Sequence, residues 1–312
     1  MSSAPSAPTP TPAASAARRF DGVALAMGLA FALMWSSAFT SAKFVVADAP
    51  PFMALSARFL ISGALACALA ALMGQRMDLT RRQWLLVGVF GVCQNSLYLG
   101  LNFYAMTWVD AGLAAVIASL MPLMVALAGW LFLGERLRPA GALGLALGVA
   151  GVALVMGARA SGAADLAGAA LCLAAAAALA AATLLVRGVS PGDRVLMIVG
   201  LQMLAGAATL APVALAFESA ADLRLTAPML AAFAYTTLVP GVLATVVWFL
   251  LVKRIGPVGA ASFHFLNPGL GVLIAAVMLA EPLSWRDALG VAVAGAGILL
   301  TQTARRAPRA AA

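Results

Sequence analysis

Arg58 lies inside an apolar run, about seven residues past Pro51, where the helical rise puts it roughly 10 Å below the end of its segment. A guanidinium there has two uses. It snorkels to the interface or bonds backbone carbonyls, or it holds an anion such as a carboxylate. Lys43 lies near the same end, and Asp48 and Asp110 are the nearby carboxylates that would pair with Arg58. His264, the single histidine, sits three residues before Asn267 and one helical turn before Pro268, so all three can share a face. Its imidazole titrates near neutral pH when unperturbed, which fits proton coupling; a hydrogen-bonded packing role is the other reading. Gln94 or Asn95, with Tyr98 and Asn102, recurs at helical spacing as a polar and aromatic stripe that would be costly against lipid. Trp35, Ser36 and Ser37 add a second such cluster, and Trp248 follows a break at Pro240 and Gly241. One histidine and three scattered cysteines, Cys67, Cys93 and Cys172, form neither a metal set nor an acid–base pair. The residues therefore point to binding a small molecule rather than to catalysis, with no cofactor and no metal.

The elements that position them are membrane spans. Of the 312 residues 64% are hydrophobic and 10% charged, with a mean hydropathy of +1.03, whereas a soluble domain is about 25% charged. Ten apolar runs of about twenty residues, each able to cross about 30 Å of hydrocarbon as a helix, are separated by short charged or Pro/Gly-containing turns. They fall at 22–42, 52–73, 83–105, 111–133, 139–157, 163–186, 194–217, 227–251, 258–280 and 285–303. Residues 1–21, rich in Pro, Ala, Ser and Thr, read as a disordered tail, and residues 304–312 as a second tail. Arg18 and Arg19 could belong to an export signal, but the run that follows is too long and shows no cleavage pattern. The net charge of +8 does not indicate nucleic acid, because the basic residues sit in short loops and tails. Fourteen of the nineteen Lys and Arg fall in the tails and even-numbered loops, four in odd-numbered loops, and Arg58 within a span. By the positive-inside rule both termini are expected in the cytoplasm.

The chain also repeats itself. "MPLMVALAGWLFLGERLRP" at 121–139 returns as "NPGLGVLIAAVMLAEPLSW" at 267–285, with Pro122 and Pro268 each thirteen residues before Glu135 and Glu281. At this offset of 146, thirteen of thirty-five positions are identical, among them Gly144 with Gly290 and Gly151 with Gly297. Five spans per repeat is an odd number, so the second repeat enters from the opposite side. The expected fold is an all-α integral membrane protein of ten transmembrane helices in two inverted five-helix repeats, 22–157 and 158–303.

These residues resemble the drug/metabolite transporter superfamily, EamA type: Trp35-Ser36-Ser37, Lys43, Arg58, Pro122 to Glu135, Gly144 and Gly151, then Pro268, Glu281, Gly290 and Gly297. The resemblance covers residues 22–303 and implies a carrier for small metabolites, often an exporter in bacteria. On this reading the chain is a multi-pass inner-membrane secondary transporter working by alternating access, with spans 1, 3, 4, 6, 8 and 9 bounding its cavity. An amino acid or related compound fits best; drugs, nucleobases and sugars are the alternatives, and a membrane-embedded enzyme the remote one. Glu135 and Glu281 are expected to accept hydrogen bonds from the next helix, or to latch gates on opposite faces. Pro122 and Pro268 are expected to kink spans 4 and 9. The stripe of Gly144, Gly148 and Gly151 facing Gly290, Ala294 and Gly297 serves packing within the chain, with a homodimer seam as the alternative.

Overall fold

A computed structural model describes residues 21–134, 138–159, 162–185 and 194–306. The proposed N-terminal tail up to residue 20, Glu135 and residues 307–312 lie outside the described residues. Every regular element among the described residues is helical. Eight helices are long and apolar enough to cross a membrane: α1 (Gly22–Asp48), α2 (Pro51–Leu72), α3 (Arg81–Ala105), α4 (Ala111–Phe132), α5 (Pro139–Gly157), α6 (Asp165–Leu185), α7 (Val195–Phe217) and α8 (Ala227–Gly256). The shorter α9 (Phe263–Leu279) and the terminal α10 (Trp285–Arg306) complete the set.

Local chemistry fixes where these helices begin and end. Asp21, Thr80 and Thr226 each accept a hydrogen bond from a backbone N–H in the first turn of α1, α3 and α8. At α10 Ser284 and Asp287 cap one another reciprocally. The helix before each repeated glutamate stops in a left-handed residue, Gly134 at φ 64° and Ala280 at φ 53°. These positions are 146 apart, so the turn is a repeated backbone device that glycine adopts freely and alanine adopts at a cost of about 1–2 kcal/mol.

Helix pairing follows the repeat. α5 packs on α10, α2 on α7 and α4 on α9, each helix meeting its own counterpart, while α1 against α9 mirrors α6 against α4. Small residues permit the closest pair. A Cβ built on Gly151 would lie 2.5 Å from the amide nitrogen of Ala294 and 2.6 Å from the carbonyl oxygen of Gly290, and one on Gly297 2.5 Å from the carbonyl oxygen of Gly144. The glycine stripe is thus spent on the α5–α10 seam inside the chain, and a second copy would have to use another face.

Four helices are interrupted. α3 carries a π-helical stretch at Val92–Leu99 and α8 another at Val239–Leu243, which overlap at the repeat offset. α4 divides into Ala111–Ala118 and Met121–Leu133, and α9 opens with a 3-10 turn at Ser262–Leu266 before Asn267–Leu279. Pro122 and Pro268 do not kink continuous helices, as the sequence suggested. Each sits in the first turn of a new helical segment, where its missing N–H has no partner to lose.

Gly151→Val should lower the melting temperature in detergent by roughly 5 °C or more, because its neighbours are backbone atoms that cannot swing aside. Gly157→Val, at a position with open space around it, should leave melting nearly unchanged.

Candidate functional site

The interrupted helices surround a cavity of about 480 Å³. Trp35 and Phe31 of α1, Arg58 of α2, Asn95, Tyr98 and Asn102 of α3, Gln202 of α7, Pro240, Gly241 and Trp248 of α8 and His264 of α9 contribute to its wall. A space of about 130 Å³ adjoins it across Trp35, Tyr98 and His264, and is further lined by Ser36, Pro122 and Asn267. Helices α2 and α7 therefore join the wall, which the sequence had assigned mainly to spans 1, 3, 4, 6, 8 and 9. Their contribution depends on the α2–α7 pair lying inward, a packing outcome with no signature in hydropathy. Gly241 lies beside the guanidinium: a Cβ built there would stand 3.9 Å from an Arg58 terminal nitrogen, an ordinary contact.

Arg58 is 6% exposed. Its guanidinium carbon lies 5.5 Å from the ring centroid of Phe59 and 5.9 Å from that of Phe103, and among the described residues its Nε has no hydrogen-bond partner. Neither expected carboxylate reaches it: Asp48 accepts from the Thr226 hydroxyl at 2.7 Å, and Asp110 stands 3.6 Å from Arg159. The snorkelling geometry is likewise not observed, since the side chain is buried on the cavity wall. A desolvated cation held by aromatic faces is arranged to take an anion.

His264 is enclosed by aromatic rings, with centroids 5.2 Å from Phe31, 6.1 Å from Trp35 and 5.1 Å from Trp248. Its Nδ1 is 2.9 Å from Asn267 Nδ2. A neutral imidazole accepting at Nδ1 from the Asn267 amide matches this contact. Ser36 Oγ approaches Asn267 at 3.5 Å, a long contact. Ser37 is directed elsewhere, 2.8 Å from the Tyr235 hydroxyl and donating to the Met34 carbonyl, so it leaves the predicted lining. On α3, Asn95 Nδ2 donates to the Gln202 carbonyl and Asn102 Nδ2 to the Tyr98 carbonyl, both at 2.7 Å.

One end of the bundle is tied by buried charge. Arg159 Nη1 donates to Glu281 and its Nε to Asp287, each at 2.8 Å, with side chains 3%, 7% and 1% exposed. Glu281 also accepts from the backbone N–H groups of Ala111 and Gly112 at 2.8 and 3.1 Å. The expected partner was the helix that follows Glu281. The observed one is the first turn of α4, in the other repeat, where the exposed N–H groups of a helix start favour an anion. Burial, and then the Glu281 carboxylate, raise the Asp110 carboxyl above its ordinary range, with Arg159 opposing. At the same end Lys43 donates to the carbonyls of Met106 and Val109 at 2.7 and 2.8 Å, and Glu218 accepts from the N–H groups of Phe52 and Met53. The opposite end has exposed pairs, Arg194 with Asp78 and Arg254 with Asp21, of the kind that contribute little.

Sequence reading missed Phe31, Phe59, Phe103 and Gln202 around the cavity and Arg159, Glu218 and Asp287 at the charged end. Arg159 was legible only as one of four basic residues on the sparsely charged side. Its partners lie 122 and 128 positions away, and no local spacing announces them.

Residues 22–157 and 166–303 each match the EamA-like transporter family, and the chain belongs to that family. It is a multi-pass membrane transporter. The inner membrane transporter YedA of Escherichia coli (strain K12) is 30% identical over 287 residues, covering 88% of this chain and 90% of YedA. The transporter YvbV of Bacillus subtilis (strain 168) is 29% identical over 92% of this chain and 94% of its own length. An aromatic amino acid exporter, YddG of Ancylobacter novellus, is 32% identical over 136 residues, 44% of this chain and 47% of that protein. A solved crystal structure with 25% sequence identity superposes with a TM-score of 0.66, covering 91% of this chain and 98% of the other.

Arg159→Met should destabilise strongly, by about 3–5 kcal/mol, since it leaves Glu281 and Asp287 buried without a counter-charge. The triple variant Arg159→Met, Glu281→Gln, Asp287→Asn should recover a large part of the loss. Thermal melts of the single and triple variants measure that non-additivity.

Proposed function

We propose that this chain is a secondary carrier that exports a small amphipathic carboxylate, best an amino acid with an apolar or aromatic side chain, by alternating access across the inner membrane. The observation that carries this reading is Arg58: a buried guanidinium on the wall of the central cavity, flanked by Phe59 and Phe103, with no hydrogen-bonded partner at Nε among the described residues. A carboxylate entering the cavity would satisfy it, while Phe31, Trp35 and Trp248 offer apolar faces for the remainder of the molecule. The partial likeness to an aromatic amino acid exporter supports the same substrate class.

The distribution of charge supports a reading of orientation and direction. The buried ion pairs gather at the end where α3 finishes and α4 begins, which the positive-inside rule assigns to the periplasm. The end that carries the exposed Arg254–Asp21 pair is assigned to the cytoplasm, and on our reading loading takes place from that side. Transport requires the Arg159–Glu281–Asp287 ties to open as the other end closes. His264 offers one means of proton coupling, because protonating Nδ1 removes the acceptor that Asn267 uses.

Arg58→Gln should reduce the flux of labelled phenylalanine in proteoliposomes by at least about 10-fold while the protein still inserts and purifies as a monodisperse species. Full activity in that variant would remove the proposed role. Reporter fusions after residue 80 should read cytoplasmic and those after residue 222 periplasmic, and the reverse pattern would overturn the orientation.

A further inference from the structure

The smaller chamber, of about 130 Å³, differs in chemistry from the 480 Å³ cavity it joins. Trp35, Phe39, Tyr98, Met121, Leu179 and His264 line both, so these six side chains ring the passage between them. Within the smaller chamber the polar side chains are turned to backbone or to one another. Ser119 Oγ donates to the Ala115 carbonyl at 2.7 Å, Asn267 Nδ2 meets His264 Nδ1 at 2.9 Å, and Ser36 Oγ approaches Asn267 Oδ1 at 3.5 Å. Among the described residues none of the buried side-chain atoms that lack a hydrogen bond belongs to this chamber, whereas Arg58 Nε, on the larger cavity, is one of them. No Asp, Glu, Lys or Arg lines the smaller chamber among the described residues. An unmet charge thus faces one compartment, and the other offers apolar surface. Ala115 and Ala118 line the smaller chamber alone, on a wall that cannot recede. Every residue of Ala111–Ala118 is buried, and Gly271 of α9 packs so closely behind Ala115 that a Cβ built on it would stand 2.5 Å from the alanine Cβ.

We infer that the smaller chamber is the subsite for the cargo's side chain and that Ala118 sets its size limit. The inference rests on the reading that Arg58 holds the substrate carboxylate. Tyr98, on the rim of the passage, precedes Phe103 by five residues of α3, a rise of about 7.5 Å, and the Phe103 ring lies 5.9 Å from the guanidinium carbon. One amino acid bridges such separations, with its acid toward Arg58 and its side chain through the ring of six. Volume then selects among side chains. An apolar cavity of about 150 Å³ accepts a benzene ring. A chamber of about 130 Å³ suits one six-membered ring or a branched aliphatic chain, and leaves no room for the second ring of an indole. Burial of the apolar tail favours binding, whereas a polar side chain would meet groups already committed elsewhere. The substrate class is narrowed accordingly: phenylalanine and leucine are carried, and tryptophan is rejected.

Counterflow of labelled phenylalanine in proteoliposomes holding the full chain tests this, with unlabelled phenylalanine, leucine, alanine and tryptophan as competitors. In the wild type phenylalanine and leucine should compete about 10-fold or more better than alanine or tryptophan. Ala118→Leu fills the chamber, and its effect is read from the rise in melting temperature that each amino acid gives in detergent: the rise from phenylalanine should be lost and that from saturating alanine kept. Tryptophan competing as well as phenylalanine in an active wild type overturns the size limit and needs no variant. An equal rise from phenylalanine in the wild type and in a cooperatively melting Ala118→Leu overturns the subsite, and where that variant does not fold, Ala118→Val is read in the same way. Arg58→Gln that carries phenylalanine as well as the wild type, with the size preference kept, overturns the carboxylate reading instead, and no flux of phenylalanine in the wild type overturns both.

Discussion

Inside hydrocarbon a backbone N–H or C=O has no water to bond, so helices must satisfy their own polar groups except where the chain lines a cavity. The structure depends on that constraint. Its departures from α-helix within the membrane occur in α3, α4, α8 and α9, and residues at or beside each departure line the central cavities. Irregular backbone and binding volume are two descriptions of one feature. A π-helical stretch displaces the hydrogen-bond ladder by one residue and widens the helix, and the two such stretches occupy corresponding places in the two repeats. Their side chains differ: Asn95 and Tyr98 on α3, Pro240 and Gly241 on α8. Duplication supplies a symmetric scaffold, and the substitutions upon it make a chemically one-sided site.

The same symmetry has to be broken for the molecule to adopt a single conformation. Inverted repeats share a scaffold, but the charges at the two ends of the bundle differ. At one end Arg159 joins Glu281 and Asp287 in a buried network, anchored further by the start of α4; at the other, among the described residues, the pairs Arg194–Asp78 and Arg254–Asp21 are more exposed. A buried network of this kind is strong while intact because its members have been stripped of water, and it is costly to open one member at a time. Such a tie favours concerted opening.

Much of the fold was legible in the sequence, and the reason is physical. Apolar runs of span length, a basic bias by loop and identity at an offset of 146 are each properties of residue order, and they give the ten helices and the duplication directly. The Pro–Glu spacing marked real features, because Pro122 and Pro268 begin half-helices and Ala280 turns the chain into Glu281. What each feature touches was not legible. Glu281 meets α4 rather than its own successor, and Arg159 closes contacts across more than a hundred residues. The polar stripe of α3 did identify cavity residues, since polarity within a span is itself a signal. Ser37 satisfies its polarity on Tyr235 and so belongs to a packing contact, a distinction that composition does not carry.

Arg58 brings these considerations to one atom group. Burying an arginine within a span is unfavourable, by up to a few kcal/mol even on the mildest insertion scale, and pairing it with an internal carboxylate would have relieved that cost. It would also have blunted the site, because an arriving substrate would have to displace an intramolecular partner held at high effective concentration. Resting the guanidinium near the rings of Phe59 and Phe103 is an intermediate solution. The ring faces offset part of the desolvation, yet they leave the N–H donors uncommitted. A carrier needs binding that is favourable enough to load and weak enough to release on the other side. A cation held by ring faces, which have no acidic group to compete with the cargo, meets both conditions better than either a solvated arginine or a buried salt bridge.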